Sequence, residues 1–238
     1  MYNRGSNPCA NCEYPALFIY VEIFVSKGSK HNLAYLGVKR CFDILVSGVG
    51  CVFLLPFAAG IKIANLLHGD KGPLFYKHPR IGKNGKIFNL YKFRTMEVGA
   101  EDKLDDLKKS PKYREEWKKY GKIQDDPRVT KVGKYLRHSS MDELPQLINI
   151  LKGSMSLIGP RPLVEGELEE FGGDHKRYEL MRPGLTGWWA ANGRSNLEYK
   201  RRLDLEYYYI DHASIGLDLK TIGKTFGAVF GGEKKGAK

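Results

Sequence analysis

From Cys41 to Ile61 the chain is almost wholly apolar, with Asp43 near its start as the one charge. Lys39 and Arg40 precede this run and Lys62 follows it. About 20 apolar residues is the length of a bilayer-spanning helix. Two features resist that reading. Pro56 falls well past the middle of the run, where it removes a backbone hydrogen bond and kinks a helix. The ~15 residues before it make about 22 Å of helix, short of a hydrocarbon core about 30 Å thick. Basic residues on both flanks also favour the cytoplasmic side for both ends. The residues alone leave two forms open: a spanning helix, and a re-entrant one that breaks at Leu55-Pro56 and returns.

The 238 residues leave room beside this segment for one domain of ordinary size. Residues 1–37 read as an N-terminal extension of unknown role, 38–67 as the membrane segment, 68–230 as the folded domain and 231–238 as a flexible basic tail. The extension's apolar run, Ala16 to Val25, is interrupted by Glu22 and too short to span, and it has only pieces of a signal peptide. Lys and Arg number 39 against 27 Asp and Glu, a net charge of +12 that suits polyanionic partners. Beside a membrane segment, lipid and sugar nucleotide fit better than nucleic acid, for which there is no helix-turn-helix or RNP-like pattern. The cysteines, at 9, 12, 41 and 51, form no disulfide framework, and Cys9-x-x-Cys12 has no second pair to complete a metal site.

The expected fold class is α+β, the membrane helix being followed by a β-hairpin and several amphipathic, interfacial helices. Pro73 to Tyr76 and Ile87 to Arg94 flank Asn84-Gly85, a strong hairpin signal. Alternation places Ile87, Asn89, Tyr91 and Phe93 on one face and Phe88, Leu90, Lys92 and Arg94 on the other, so Lys92 and Arg94 read as a phosphate-facing pair. Residues 97–122 mix acids with lysines and read as polar surface helices broken at Ser110-Pro111, with Tyr113, Trp117 and Tyr120 at helical spacing. A polar helix from Val164 to Phe171 and loop material around Arg182 to Arg194 precede two terminal helices.

The chemistry concentrates between Arg137 and Pro162. Leu144, Leu147, Ile148 and Leu151 fall at i, i+3, i+4 and i+7, one helix face, with Ser140 and Glu143 ahead of them at capping-box spacing. Asp142 and Glu143 are therefore expected in or beside the first turn, where the helix dipole favours the carboxylate form. Arg161 sits between Pro160 and Pro162, which restrict the backbone on both sides and present a fixed guanidinium, a good bidentate phosphate clamp. Two carboxylates, a divalent cation and a fixed arginine suit phosphoryl transfer from a nucleotide. Acids at helix starts and arginines in loops are also common without any chemistry, so residue type alone does not decide.

The run Ser140-Met-Asp-Glu-Leu-Pro-Gln-Leu147, followed by Met155-Ser-Leu-Ile-Gly-Pro-Arg-Pro162, resembles the bacterial sugar transferases, the monotopic polyprenyl-phosphate phosphoglycosyl transferases. Further matches are Lys39 to Asp43, Lys92 to Met96, Asp126 to Thr130 and Arg182 to Gly187. The resemblance implies a re-entrant helix in the bacterial inner membrane with the catalytic domain facing the cytoplasm. It implies transfer of a sugar 1-phosphate from a UDP-sugar to undecaprenyl phosphate, with release of UMP, at the start of exopolysaccharide or lipopolysaccharide synthesis. It also implies a covalent route with Asp142 as nucleophile and Glu143 as a Mg²⁺ ligand, Asp142 being the alternative ligand. By motif match Lys92, Arg137, Arg161 and Arg194 bind phosphate or nucleotide, and Asp218 supports the site in a role the sequence leaves unassigned.

Leu55 where many relatives have serine, Met141 where leucine is usual, Trp189-Ala190 and Gly216 depart from the family pattern without touching the charged constellation. The insert at 97–122 and Asn192 to Ser195 point to the hexose 1-phosphate branch, glucose or galactose. A non-covalent ternary mechanism and a homodimer stay open. A membrane-anchored adaptor binding acidic lipid is the rival from another class, and it gives no reason for the Pro-locked arginine beside an Asp-Glu pair.

Overall fold

The computed structural model describes residues 33–120, 123, 125–193 and 198–230. Cys9, Cys12, Arg194 and the basic tail therefore lie outside the described residues. The apolar run folds as one helix, α1 (Leu33–Leu67), with Pro56 inside it, so the expected break at Leu55-Pro56 does not interrupt the helix. Its 35 residues make about 52 Å. Gly69 stops it in the left-handed region at φ 80°, and the Asp70 amide closes the end on the Asn65 carbonyl at 2.8 Å. It is the one helix among the described residues long and apolar enough to cross a membrane.

The buried stripe of α1 runs through Tyr35, Asp43, Ser47, Leu54, Ala58, Ile61 and Asn65. Leu45, Val49, Val52, Phe53 and Leu55 stay exposed. One domain packs along both halves of the stripe. Near its start Tyr35 and Lys39 donate to Asp218 Oδ2 at 3.0 and 2.7 Å. Arg40 donates to the Ile150 and Leu151 carbonyls at 2.6 and 3.0 Å. Asp43 Oδ1 accepts from Ser156 Oγ at 3.1 Å and the Leu157 amide at 2.9 Å, which explains a carboxylate in an apolar run. Near the far end Leu54, Ala58 and Ile61 share a cluster with Phe93 and Leu136, and Lys62 donates to the Gly72 carbonyl at 2.9 Å.

The hairpin forms as expected: β1 (Phe75–Ile81) pairs antiparallel with β2 (Ile87–Phe93), from Phe75↔Phe93 to Ile81↔Ile87. Asn84 and Gly85 take φ 58° and 71° at its tip, the left-handed geometry that Asn-Gly accommodates. Both faces of β2 are covered. Phe93 meets Phe57 of α1 edge-on at 5.9 Å, whereas Leu90 packs with Leu147 and Ile150.

The charged stretch becomes α2 (Asp102–Lys109) and α3 (Pro111–Tyr120), divided at Ser110-Pro111. Next come α4 (Lys131–Ser139), α5 (Gln146–Lys152) and β3 (Ser156–Ile158). Two single turns follow, α6 (Glu167–Glu170) and α7 (His175–Tyr178). The Gly-Pro-rich stretch expected as loop instead contributes a strand, β4 (Gly184–Thr186), parallel to β3. Glycine makes that pairing fit, since a Cβ on Gly184 would stand 2.1 Å from the Gly159 nitrogen. The chain ends in α8 (Trp188–Ala191), α9 (Tyr199–His212) and α10 (Ile215–Phe230). Ile158, Leu168, Tyr178, Trp188, Leu203 and Tyr209 form the main core between these elements.

Candidate active site

The segment carrying the two acids departs from the expected single helix. Ser140 closes α4 in the left-handed region at φ 58°, its amide bonded to the Arg137 and Leu136 carbonyls, and its side chain caps nothing. An N-cap needs extended backbone, so the expected capping box does not form. Asp142 and Glu143 occupy a 3₁₀ turn (Met141–Glu143), and α5 begins after Pro145. The helix is wedged between α1 and the hairpin and is apolar on more than one face. Leu144 and Ile148 join one cluster, Leu147 and Ile150 another, and Leu151 is left 41% exposed.

This turn brings four of the expected residues together. Lys92 Nζ, reaching from β2, donates to Glu143 Oε1 at 2.7 Å. Arg137, in the last turn of α4, donates from Nε to Thr95 Oγ1 at 2.9 Å and lies within electrostatic range of Asp142. Burial holds the Asp142 carboxyl above its ordinary range; Lys92 and Arg137 pull it down, and Glu143 pushes it up. The dipole expectation fails here because the acid stands in a half-buried 3₁₀ turn rather than at a solvated α-helix start.

Two expected residues are committed elsewhere. Arg94, 8% exposed, donates from Nη2 to both oxygens of Asp70 at 2.8 Å, and from Nε and Nη1 to the Pro73 and Met96 carbonyls at 2.6 Å each. It closes the loop that links α1 to the hairpin, with its donors engaged by protein oxygens. Alternation along β2 gave it the face of Lys92 but could not show that Asp70 would fold back onto it. Asp218 accepts from Tyr35, Lys39 and, at 2.6 Å, Tyr209, so it fastens α1 to α10.

Arg161 belongs to a second cluster. Its amide donates to Glu206 Oε1 at 3.0 Å, its carbonyl accepts from the Tyr178 hydroxyl at 3.0 Å, and the Pro162 carbonyl accepts from Arg80 Nη1 at 3.1 Å. Hydrogen bonds thus fix the Pro160–Pro162 backbone that the prolines restrict. Arg161, Arg80 and Arg202 all face Glu167, at 3.9, 4.0 and 2.9 Å. Sequence reasoning passed over Arg80, Arg202, Glu167 and Glu206. Arg80 was the readable one, since alternation along β1 sets it on the face that Tyr76 shares with Lys92.

Burial drives the Glu206 pKa up to about 8, against 4.5 ordinarily, which favours the protonated form near neutral pH. The unfolded chain releases this proton near the ordinary value while the folded chain keeps it. Stability is therefore fully present below the unfolded pKa and declines as pH rises towards 8, by up to about 1.4 kcal/mol per pH unit. Melting temperatures measured across that window should fall, and Glu206→Gln, which keeps the acceptor for Arg161, should flatten the decline. An equal slope in the variant would locate the dependence in other groups.

Among the described residues no three His, Cys, Asp or Glu side chains gather as a ready-made metal cage. Mg²⁺ does not need one, because it commonly takes one or two carboxylates and completes its shell with water and substrate phosphate. Adjacent Asp142 and Glu143, the latter 41% exposed, fit that donor set.

A membrane-length helix is thus joined to a small domain that sets paired acids among lysine and arginine. The chain belongs to the bacterial sugar transferase family, whose model matches residues 34–232. The exopolysaccharide production protein ExoY of Sinorhizobium fredii is 43% identical over 192 residues, 80% of this chain and 84% of that protein. The undecaprenyl-phosphate galactose phosphotransferase of Salmonella typhimurium is 40% identical over 189 residues, 79% of this chain and 39% of that protein. The undecaprenyl-phosphate glucose phosphotransferase of Komagataeibacter xylinus is 36% identical over 199 residues, covering 77% and 34%. The chain thus spans well under half the length of several curated relatives that it matches.

Proposed function

We propose that this protein moves a sugar 1-phosphate from a UDP-sugar to undecaprenyl phosphate, releasing UMP and initiating a surface glycan. The observation that carries the reading is the 3₁₀ turn that holds Asp142 and Glu143 beside Lys92 and Arg137, in a domain fastened to a membrane-length helix. Asp142 attacks the sugar-bearing phosphorus, a P–O bond forms to its carboxylate, and the P–O bond to UMP breaks. An oxygen of the lipid phosphate then attacks the same phosphorus and frees the carboxylate. A carboxylate nucleophile needs no general base once ionised, and Lys92 and Arg137 favour that form of Asp142. Glu143, with Asp142 adjacent, would hold Mg²⁺, which would supply charge neutralisation at the phosphates that an anion must approach.

The names of the galactose and glucose phosphotransferases support a hexose 1-phosphate donor and the undecaprenyl acceptor. We place the domain on the cytoplasmic face of the inner membrane, with α1 entering the bilayer and returning at Leu55-Pro56. Bonds from one domain to Lys39 near one end of α1 and Lys62 near the other support that arrangement.

The test is UMP release from a panel of UDP-sugars with undecaprenyl phosphate as acceptor. Turnover of UDP-glucose or UDP-galactose above the acetamido sugars is expected, and absence of UMP from every donor overturns the proposal. Glu143→Gln should lower the rate and raise the Mg²⁺ concentration needed for half-maximal activity. A slower enzyme with unchanged metal dependence would assign Glu143 another role.

A further inference from the structure

The Arg161 cluster carries more positive charge than the protein neutralises. Arg80, Arg161 and Arg202 share Glu167 as the one carboxylate in salt-bridge contact with all three among the described residues. Burial of Glu206, which lies behind them, favours its neutral form. Glu167 thus stands as one carboxylate against three guanidinium groups. The side chains of Arg80 and Arg202 are only 13% and 15% exposed, so water screens them weakly. Arg80 Nε and Arg161 Nε are both buried without a hydrogen-bond partner. A buried guanidinium donor left unsatisfied is costly unless an anion completes it.

The cluster also has an orientation. His78 Nδ1 lies 3.1 Å from Arg80 Nη2; arginine can only donate, so His78 accepts there as a neutral ring. Burial, Arg80 and Lys92 all hold the His78 pKa down, in keeping with that tautomer. Arg161 and Arg202 each lie 5.7 Å from the Trp189 ring, and Arg202 lies 4.0 Å from the Tyr199 ring. Arg80 shares a hairpin face with Lys92 and feels both Arg161 and Glu143 electrostatically. Four residues of strand, about 13 Å, separate Arg80 from the Tyr76 position opposite Lys92.

We propose that Arg80 and Arg202 join Arg161 in one phosphate-binding cluster around Glu167, with Arg80 the cation that links this cluster to the Asp142–Glu143 turn. The ligand is a phosphate dianion, belonging to the diphosphate of the nucleotide donor or the monophosphate of the lipid acceptor. This rests on the proposed transfer reaction, but its first test does not require turnover. Full-length protein in nanodiscs is titrated with UDP and, separately, with inorganic pyrophosphate, for the wild type, Arg80→Gln and Arg202→Gln. Michaelis constants for the UDP-sugar and for undecaprenyl phosphate are measured on the same samples, and melting temperatures confirm that each is folded.

Weakening of UDP and pyrophosphate binding by tenfold or more, with a matching rise in KM for the UDP-sugar, assigns the cluster to the donor. Unchanged UDP binding with a tenfold rise in KM for the lipid assigns it to the acceptor. If folded Arg80→Gln and Arg202→Gln keep all four constants within twofold of wild type, the inference is wrong. Loss of pyrophosphate binding in a protein that turns over no UDP-sugar would leave the cluster standing and remove the transfer reaction. Should Arg80→Gln not fold, Arg80→Lys retains the charge but not the fork, and the same tenfold criteria apply.

Discussion

Asp142→Asn should reduce UMP release by roughly a thousandfold or more while leaving membrane attachment and melting temperature close to wild type. The substitution keeps the shape of the side chain and removes the negative charge that attacks phosphorus in the proposed reaction. It touches no cluster that holds the fold, since the core around the turn is made by Leu144, Leu147, Ile148 and Ile150. A second measurement separates nucleophile from metal ligand. On the covalent route the wild type should exchange labelled UMP into UDP-sugar without any lipid acceptor, because the first half-reaction closes on itself. Asp142→Asn should lose that exchange, whereas Glu143→Gln should retain a slowed version that added Mg²⁺ restores in part. Wild-type turnover without lipid-free exchange would support a ternary mechanism. Appreciable UMP release from Asp142→Asn would remove Asp142 as the nucleophile.

The motifs pointed to this site with uneven success, and the physical reason differs from residue to residue. Lys92, Arg137, Asp142 and Glu143 were legible because strand alternation and a short local turn decide where they go. The turn itself was misread. Serine ahead of an apolar i, i+3, i+4 pattern looks like an N-cap, but tertiary packing ended α4 at Ser139 with Ser140 left-handed, and the acids fell into the break between two helices. The engagement of Arg94 was not legible because its partner Asp70 lies 24 residues earlier, beyond any local pattern. The role of Asp218 was invisible for the same reason, as Tyr35 and Lys39 are 183 and 179 residues away. Glu206 reads as one more polar residue in a helical run, and only complete burial reveals that it holds the Arg161 backbone.

The largest structural effect is expected from the membrane helix. In the proposed transfer a soluble nucleotide donor and a lipid phosphate must meet at one face of the bilayer, so the acids have to be held at headgroup depth. Tyr35, Lys39, Arg40 and Asp43 bond the first turns of α1 to the same domain that Ile61 and Lys62 contact from its last turns. A helix crossing the bilayer with the domain on one side would break one of these sets. Reporters fused at residue 5 and at residue 238 should therefore both read as cytoplasmic. Replacing Leu55-Pro56 with two leucines restores a straight run of about 20 apolar residues, about 30 Å long and able to span. The opposing force is the Asp218 joint, whose hydrogen bonds from Tyr35 and Lys39 to the carboxylate are worth about 1.5–3 kcal/mol each. The Leu-Leu variant should accordingly show partial periplasmic labelling at residue 5, and adding Asp218→Ala should make that fraction dominant while UMP release falls with it. Periplasmic labelling of the unmodified N-terminus would sink the re-entrant arrangement, and the chemistry at Asp142 would then need another way to reach the lipid phosphate.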